Sequence, residues 1–348
     1  MRTISPADPS LTWLGAIDVE HTPDWSRPWR LPYRDLDLFP GARLRQRAAI
    51  PAGVRLVVQT NSVVIGGRAL PGQAGERRVV DVVVDGALAE TIDVQRDGTF
   101  RSGVMPPGEK AVELWLPTTD ELRLATLCID DDAELSPANP ASRPRLVVYG
   151  SSISQCAAAA SPTRTWPAIV ARGLGMELTG LGFGGECKLD PMVARLIRDL
   201  PADVIITCLG INVYGSGVFN ERSFLPAVLG LLTTIRDGHP RVPILVISPI
   251  ASPDREEVTG ESGMSLAQIR ELVHEAVAVL RRHGDNDLRV LSGLEVLGPD
   301  DSGLLWDGLH PGPRGYEHMG EKITAVVEAL VPATVARLGR RHAEARIQ

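Results

Sequence analysis

Three serines stand directly after a run of strand-forming residues in RPRLVVYGSSISQC, residues 143–156. A turn needs a glycine or an asparagine but not several hydroxyls, so this segment is either a loop rich in small residues or the presentation of a nucleophilic serine. Further along the chain, LLWDGLHPGPRGY places Asp307 and His310 three residues apart. A hydroxyl, an imidazole base and a carboxylate that orients the base are the groups that acyl transfer requires.

Acyl transfer also requires N–H donors for the oxygen that becomes negative in the tetrahedral intermediate. Gly185, in GFGGE, can supply a backbone N–H with no side chain in the way. Asn212, in LGIN, can supply a side-chain N–H. Both segments, like the serine cluster, follow predicted strands, and the carboxyl ends of parallel strands meet at one edge of a sheet. The sequence therefore predicts that these groups lie together.

The elements that position them have the pattern of an α/β domain. Apolar strands are predicted at LVVYG, MELTGLG, DVIITCLG, PILVISP and LRVLSG. Helices are predicted at DPMVARLIRDL, SFLPAVLGLLTTIRDG, LAQIRELVHEAVAVLRRHG and RGYEHMGEKITAVVEAL. Strands that alternate with helices indicate a five-stranded parallel sheet covered on both faces. We assign this catalytic domain to residues 145–348.

The first part of the chain has the pattern of a β-structure. RLRQRAAI, VRLVVQTNSVVIGG and KAVELWLP are predicted to be strands, and no convincing helical period intervenes. Asp85-Gly86 and Asp97-Gly98 are turn signals between strand-like segments. This pattern predicts an all-β sandwich, or jelly roll, over residues 1–135. The acidic and then proline-rich DDDAELSPANPASRPR predicts a linker at 136–144.

Bulk properties exclude several classes of protein. The chain has 348 residues, 44% of them hydrophobic, and a net charge of −7 without any basic run, which argues against a nucleic-acid partner. No run approaches the length of a membrane span, and we expect no secretory signal, because the N-terminal residues lack an apolar core followed by a small-residue cleavage site. The four cysteines have no CxxC spacing, and no metal site or cofactor motif is apparent. We expect a cytoplasmic protein that needs no metal or cofactor.

Four segments resemble the sequence blocks of SGNH (GDSL-type) hydrolases. YGSSIS, GFGGE, LGIN and DGLHP have the order and approximate spacing of those blocks across residues 145–330, and TWPAIVARGLG resembles the first helix of the family. The resemblance implies a flavodoxin-like fold and a serine esterase. By position it implies Ser152 as nucleophile, His310 as base, Asp307 as its partner, and the Ser152 and Gly185 N–H groups with the Asn212 side chain as oxyanion donors.

The segments also depart from the family pattern. Ser151 stands where the family usually has aspartate, Gly180 where an asparagine commonly opens the second block, and Val213 where an aspartate often follows the third-block asparagine. None of these departures removes a member of the triad or of the oxyanion hole. They concern how the second-block loop is held and which acyl groups fit. The residues expected to line the substrate are Ser151, Glu186, Val213, Tyr214 and Trp306.

Several positions have alternative interpretations. Ser152 could instead be a turn serine that caps the next helix, and Ser154 is the rival nucleophile. Glu186 is expected to be a solvated loop residue rather than an acid catalyst. Trp25 and Trp29 could form a sugar-stacking platform or be buried. The long SPIASPDREEVTGESG segment could be a substrate wall or a surface loop, and Cys156 and Cys187 are expected to be reduced.

The function predicted from these features is that of a serine esterase acting on a small acylated carbohydrate or natural product. A sandwich before an SGNH domain resembles two-domain carbohydrate esterases and the GDSL acyltransferases that decorate aromatic polyketides. The first alternative is an acyltransferase that uses the same triad, and the second is a non-catalytic carbohydrate-binding protein. The partner is expected to be a small acyl ester, carbohydrate or polyketide, with neither nucleic acid nor membrane involved, and a homo-oligomer is left open.

Overall fold

The computed structural model describes residues 1–72, 77–138 and 143–330. Two antiparallel sheets precede a five-stranded parallel sheet with helices on both faces. The N-terminal elements are β1 (Arg2–Ile4), β2 (Thr12–Leu14), β3 (Asp18–His21), β4 (Ser26–Trp29), α1 (Ala42–Ala48), β5 (Arg55–Thr60), β6 (Ile65–Ala69), β7 (Val79–Val84), β8 (Ala87–Asp93), β9 (Thr99–Arg101), β10 (Lys110–Trp115), β11 (Leu124–Ile129) and β12 (Leu135–Pro137). The C-terminal elements are β13 (Arg145–Gly150), α2 (Ser152–Gln155), α3 (Trp166–Gly173), β14 (Glu177–Gly182), α4 (Pro191–Asp199), β15 (Val204–Cys208), α5 (Ile211–Tyr214), α6 (Glu221–Gly238), β16 (Ile244–Ile247), α7 (Leu266–Arg282), β17 (Leu288–Leu291), α8 (Gly293–Val296) and α9 (Pro313–Leu330).

The N-terminal part is a β-sandwich, as the sequence predicts. One sheet has the order β3-β4-β11-β6-β9, with β1 on β11, and the other has the order β12-β5-β10-β7-β8, with β2 on β5. Val82 and Leu114 from the second sheet share an apolar core with Ile65 and Leu127 from the first. The predicted Asp-Gly turn between β7 and β8 is present, and both of its residues have positive φ.

One predicted strand of the sandwich is wrong. RLRQRAAI, read as β-structure, forms most of helix α1. Its leucine, arginine, glutamine and alanine residues all have good helix propensity. Leu44 and Ala48, four residues apart, are buried on the same face, while Arg43 points outward with a side chain 68% exposed. A short strand pattern and one amphipathic helical turn are hard to distinguish over eight residues.

The parallel sheet has the strand order β14-β13-β15-β16-β17, which is the flavodoxin-like arrangement expected from the resemblance. Its strands are mostly apolar because both faces are covered. On β13, Leu146 and Val148 belong to the apolar cluster on one face. Val147 and Tyr149 belong to the cluster on the other. The four predicted helices are confirmed as α4, α6, α7 and α9.

The two parts of the molecule share buried polar contacts. Asp81 of β7 is fully buried and accepts hydrogen bonds from Ser161 and from both the N–H and the hydroxyl of Thr163. Arg30, also fully buried, donates to the carbonyls of Gly180 and Gly182 on β14. Buried charged groups need such partners to offset their desolvation.

The predicted linker, 136–144, is only partly described, because 139–142 lie outside the described residues. Its first two residues belong to β12, which pairs with β5 of the sandwich. Across the described ranges, no helix combines the length and apolarity needed to cross a membrane.

Candidate active site

The three serines after β13 have separate surroundings. Ser151 is fully buried and caps α2, its hydroxyl accepting the N–H of Ile153 at 3.2 Å. Ser154 is buried against Gly150, where an added Cβ would collide with the Ser154 hydroxyl. Ser152, the first residue of α2, lines an open cavity. The capping role that the sequence left open for Ser152 thus belongs to its neighbour.

Ser152 is hydrogen-bonded to the loop that precedes α9. Its Oγ lies 2.8 Å from Nε2 of His310. On the other side of the ring, His310 Nδ1 lies 2.7 Å from Oδ2 of Asp307. A carboxylate on Nδ1 selects the tautomer in which Nε2 carries no proton and accepts from the hydroxyl. The arrangement can therefore remove a proton from Ser152.

The His310 loop is held mainly by its own hydrogen bonds. Oδ1 of Asp307 accepts the backbone N–H groups of His310, at 2.6 Å, and of Leu309, at 3.0 Å. Burial raises the pKa of Asp307, but these bonds and the one from the imidazole outweigh it and hold that pKa below its usual value. Gly308 has a φ of +74°, which favours glycine, and its carbonyl accepts the Ser252 hydroxyl. Asp307 is therefore held as the carboxylate that the imidazole needs.

Opposite this loop, the segment after β14 carries Gly185 at a φ of +75°. The preceding residue, Gly184, is held at both ends. Its N–H donates to Oε1 of Gln155 at 2.9 Å, and its carbonyl accepts from Nε of Arg47 at 3.2 Å. Because the Gly184 carbonyl and the Gly185 N–H belong to one planar peptide, the contact with Arg47 also orients that N–H.

Three N–H sources surround the cavity near Ser152. Oδ1 of Asn212 accepts the N–H of Cys187 at 3.0 Å, so the side-chain amide is held by its oxygen and keeps its NH₂ for another acceptor. Within the described part of the chain, the backbone N–H groups of Ser152 and Gly185 donate to no protein group. Donors without acceptors beside a nucleophile are what an oxyanion hole requires.

The cavity has a volume of about 600 Å³ and is formed by both parts of the molecule. The sandwich side contributes α1, and the parallel-sheet side contributes the loops after β13, β14, β15, β16 and β17. Its lining includes four basic side chains but no acidic one from the described ranges. These basic residues are Arg43, Arg47, Lys188 and Arg255.

The structure places the five residues expected to line the substrate in different surroundings. Tyr214 lines the cavity. Trp306 lies outside it, 67% exposed, with its ring stacked against His310 at a centroid distance of 6.3 Å. Ser151 and Val213 are fully buried and do not line the cavity. The expectation that Glu186 is solvated is wrong, since its side chain is only 7% exposed.

The covered carboxylate of Glu186 forms two ion pairs. It lies 3.4 Å from Arg43 and 3.1 Å from Lys188. The first of these cations lies on α1, so the carboxylate is paired through a contact between distant parts of the chain. A local sequence pattern does not contain this information.

Sequence reasoning missed Arg47, Gln155 and Arg255. Gln155 follows the serine cluster by one residue and carries no motif of its own. Arg255 lies in the SPIASPDREEVTGESG segment, so this segment does contribute to the wall of the cavity. Recognising helix α1 and its outward-facing arginines would have been the available signal for Arg47.

Other side chains singled out from the sequence lie elsewhere. Trp29 is buried in the apolar cluster, and Trp25 is half-buried with Arg27 over both indole rings. Cys156 and Cys187 are buried free thiols. In the part of the chain that the structure describes, no group of three His, Cys, Asp or Glu residues could hold a metal ion.

Comparisons with known proteins agree with this architecture. The family model described as the GDSL-like lipase/acylhydrolase family matches residues 143–328. A second model, described as the N-terminal domain of SsfX3, matches residues 11–125. A search of curated proteins found no match.

Among solved structures, the chain is similar to the salicylyl-acyltransferase SsfX3 from a tetracycline biosynthetic pathway. The two are 35% identical, the match covers 95% of this chain and 99% of that one, and the TM-score is 0.87. A protein from Bacteroides ovatus described as a GDSL-like lipase is 23% identical over 94% and 97% of the two chains, with a TM-score of 0.78. A family two carbohydrate esterase from Clostridium thermocellum is 16% identical over 92% and 98%, with a TM-score of 0.66. The last two similarities concern the fold alone.

Proposed function

Because the chain belongs to the GDSL-like lipase/acylhydrolase family, we propose that it cleaves acyl esters with Ser152 as the nucleophile. The acyl group passes to the Ser152 hydroxyl and then to water. The observation that carries this proposal is the continuous hydrogen-bonded path from Ser152 through His310 to Asp307, with distances of 2.8 and 2.7 Å. The SGNH resemblance of the four sequence blocks assigns the same three residues.

In the first half-reaction, Nε2 of His310 takes the proton of Ser152 as the hydroxyl oxygen attacks the ester carbonyl. The carbonyl oxygen becomes negative and accepts hydrogen bonds from the N–H groups of Ser152 and Gly185 and from the Asn212 amide. The intermediate collapses when His310 protonates the departing alcohol. Water, deprotonated by the same imidazole, then hydrolyses the acyl-enzyme and regenerates Ser152.

Exposure of the base supports hydrolysis. The His310 side chain is 28% exposed, and that of Asp307 is 29% exposed. Water therefore reaches the imidazole that must activate it. Between the two substrate classes predicted from the sequence, the 35% identity to a salicylyl-acyltransferase of a tetracycline pathway favours an acylated natural product over a carbohydrate.

Covalent labelling tests the nucleophile. A fluorescent organophosphonate should label the native chain, and Ser152→Ala should lose both the label and p-nitrophenyl acetate turnover. Ser154→Ala is the matched control, because it removes a hydroxyl two residues away, and it should still be labelled. Labelling of Ser152→Ala at the native rate would refute the assignment.

Removal of the Asn212 amide tests the oxyanion site. Loss of one such donor costs about 3 kcal/mol in comparable sites, which corresponds to about a hundredfold in kcat. We expect Asn212→Ala to lower kcat by about that factor with a smaller change in KM. A kcat equal to that of the native enzyme would exclude Asn212 from the oxyanion hole.

Transfer of the acyl group to an alcohol is the second candidate function. The observation that favours it is the 35% identity to an acyltransferase across 95% of this chain. Product analysis separates the two functions. The chain is incubated with a p-nitrophenyl ester and a phenolic natural-product acceptor, and free acid alone indicates hydrolysis. An ester built on the acceptor, formed at a rate that depends on Ser152, indicates transfer.

A further inference from the structure

The charge of the catalytic cavity contrasts with that of the chain. The whole chain has a net charge of −7, yet the charged side chains that line the cavity are three arginines and one lysine. Two of these cations, Arg43 and Lys188, are matched by the carboxylate of Glu186. The nearby carboxylate of Asp307 is already bound to His310.

Two other arginines of the cavity wall form no ion pair with a carboxylate of the described residues. Arg47 donates to the carbonyl of Gly184, and Arg255 donates to the hydroxyl of Ser252 at 2.9 Å. Both side chains are half-buried, and neither has a carboxylate of the described residues within 4.0 Å. A guanidinium carries five N–H donors, so each retains donors for a further acceptor.

The positions of the two arginines bracket the reacting serine. Arg47 belongs to α1 and contacts the loop after β14, whereas Arg255 follows β16 and contacts the residue that supports the His310 loop. In the sheet order, Ser152 follows β13, which lies between these strands. A ligand bound at Ser152 therefore has a guanidinium on either side.

Arg30, which lies outside the cavity lining, adds to the positive charge on the α1 side. Arg30 is fully buried, and its hydrogen bonds within the described residues all go to backbone carbonyls, including that of Arg47. Burial and the neighbouring charge of Arg47 lower the pKa of Arg30 to about 9. The α1 side of the site therefore holds two neighbouring guanidinium groups, Arg47 in the cavity wall and Arg30 behind it.

We propose that the ester cleaved at Ser152 carries an anionic group, a carboxylate or a phosphate, on its acyl or its leaving-group side, and that this group binds to the guanidinium on that side, Arg47 or Arg255. Guanidinium groups suit this ligand because their paired N–H donors match the geometry of carboxylate and phosphate oxygens. The inference rests on the proposed function and adds the charge of the substrate to it.

Pairs of esters that differ in charge test the proposal. The neutral methyl 4-acetoxybenzoate is compared with 4-acetoxybenzoate and 4-acetoxyphenyl phosphate, which place a carboxylate or a phosphate on the leaving group. The neutral 4-nitrophenyl 4-methylbenzoate is compared with 4-nitrophenyl 4-carboxybenzoate, which places a carboxylate on the acyl group. We expect kcat/KM to favour the anionic member of at least one pair by about tenfold or more, and the preference to fall as salt is added.

Substitutions separate substrate binding from support of the loop. In the pair whose anionic ester is preferred, either Arg47→Gln or Arg255→Gln should reduce the ratio of anionic to neutral kcat/KM by about tenfold, and the ratio cancels any loss common to both esters. Arg222→Gln, on the exposed surface of α6, is the matched control and should leave the ratio unchanged.

The outcome that overturns the proposal is equal or better turnover of the neutral ester in every pair, with ratios unaffected by either substitution. An equal loss on both esters in Arg47→Gln, with Arg255→Gln unchanged, would also overturn it and leave Arg47 as a support for Gly184 only. Failure of the proposed function is distinguishable, since the native chain would then turn over no ester and Ser152 would not be labelled.

Discussion

The two loops that meet at Ser152 are held in different ways. The His310 loop is largely self-contained, because Asp307 binds both the imidazole and two backbone N–H groups within three residues. The loop at Gly184 and Gly185 is instead held from outside. Its contacts come from Gln155 on α2 and from Arg47 on α1 of the sandwich side.

The two loops therefore differ in how far their geometry can be predicted from the local sequence. A base and its orienting carboxylate can be encoded in a short motif, since both lie on one turn. The direction of a single backbone N–H requires contacts from elements far apart in the chain. The N-terminal part is therefore a structural component of the proposed oxyanion site, and perturbing it should affect the two loops unequally.

Asp307→Asn should give the largest effect on the His310 side. The amide can donate to Nδ1 of the imidazole, which moves the ring proton to Nε2 and prevents acceptance of the Ser152 proton. We expect kcat to fall by about a thousandfold or more, measured with p-nitrophenyl acetate. The melting temperature serves as the control and should change little, because asparagine still accepts the backbone N–H groups. A kcat within tenfold of native would mean that Asp307 does not orient the base.

Gln155→Met should give the largest effect on the Gly185 side. Methionine has a similar shape but cannot accept the Gly184 N–H, so the adjoining peptide loses one of its two supports. A loss of about 2 kcal/mol in oxyanion stabilisation corresponds to about thirtyfold in kcat. KM should change less than kcat, because the interaction is made mainly in the transition state.

Gln155→Glu provides the matched control for this substitution. A carboxyl oxygen can still accept the Gly184 N–H, whereas the donor to the Thr118 carbonyl is lost. We expect it to retain more of the native kcat than Gln155→Met. If both variants have native kcat, Gln155 has no part in positioning the oxyanion donor.

Arg30→Met should lower stability more than activity. It leaves the carbonyls of Gly180 and Gly182 without a buried donor, and each unsatisfied group costs about 1–3 kcal/mol, offset in part because a buried charge is also removed. We expect about 3 kcal/mol less free energy of unfolding in urea. Because Arg30 also donates to the Arg47 carbonyl, kcat should fall by about fivefold, equivalent to about 1 kcal/mol at the Gly184 peptide.

Asp81→Asn is the matched control at the other contact between the two parts. Asp81 is equally buried, but its partners Ser161 and Thr163 do not line the cavity. It should lower the free energy of unfolding while leaving kcat unchanged. If both substitutions lower kcat alike, the Arg30 contact has no special relation to the site.

The same contrast explains what could be predicted from the sequence. The parallel sheet and its helices follow from apolar strands that alternate with amphipathic segments. These patterns are predictive because each extends over many residues. Helix α1 does not follow from the local pattern, because a single buried pair, Leu44 and Ala48, is too short to define a helical period. The contacts of Arg47 and Gln155 depend on that helix and on long-range packing, so no local pattern predicts them.

Trp306→Ala should give the smallest effect. The indole is 67% exposed and stacks against His310 without lining the cavity, so its removal should cost little packing energy and leave the hydrogen bond between His310 and Asp307 intact. We expect kcat/KM for neutral esters to change by about twofold or less. The comparison uses esters with short and bulky leaving groups, since a bulky group would extend past His310 toward the ring. A loss above tenfold confined to the bulky ester would mean that Trp306 contacts the substrate, as the sequence interpretation holds, and that the His310 side also selects the leaving group.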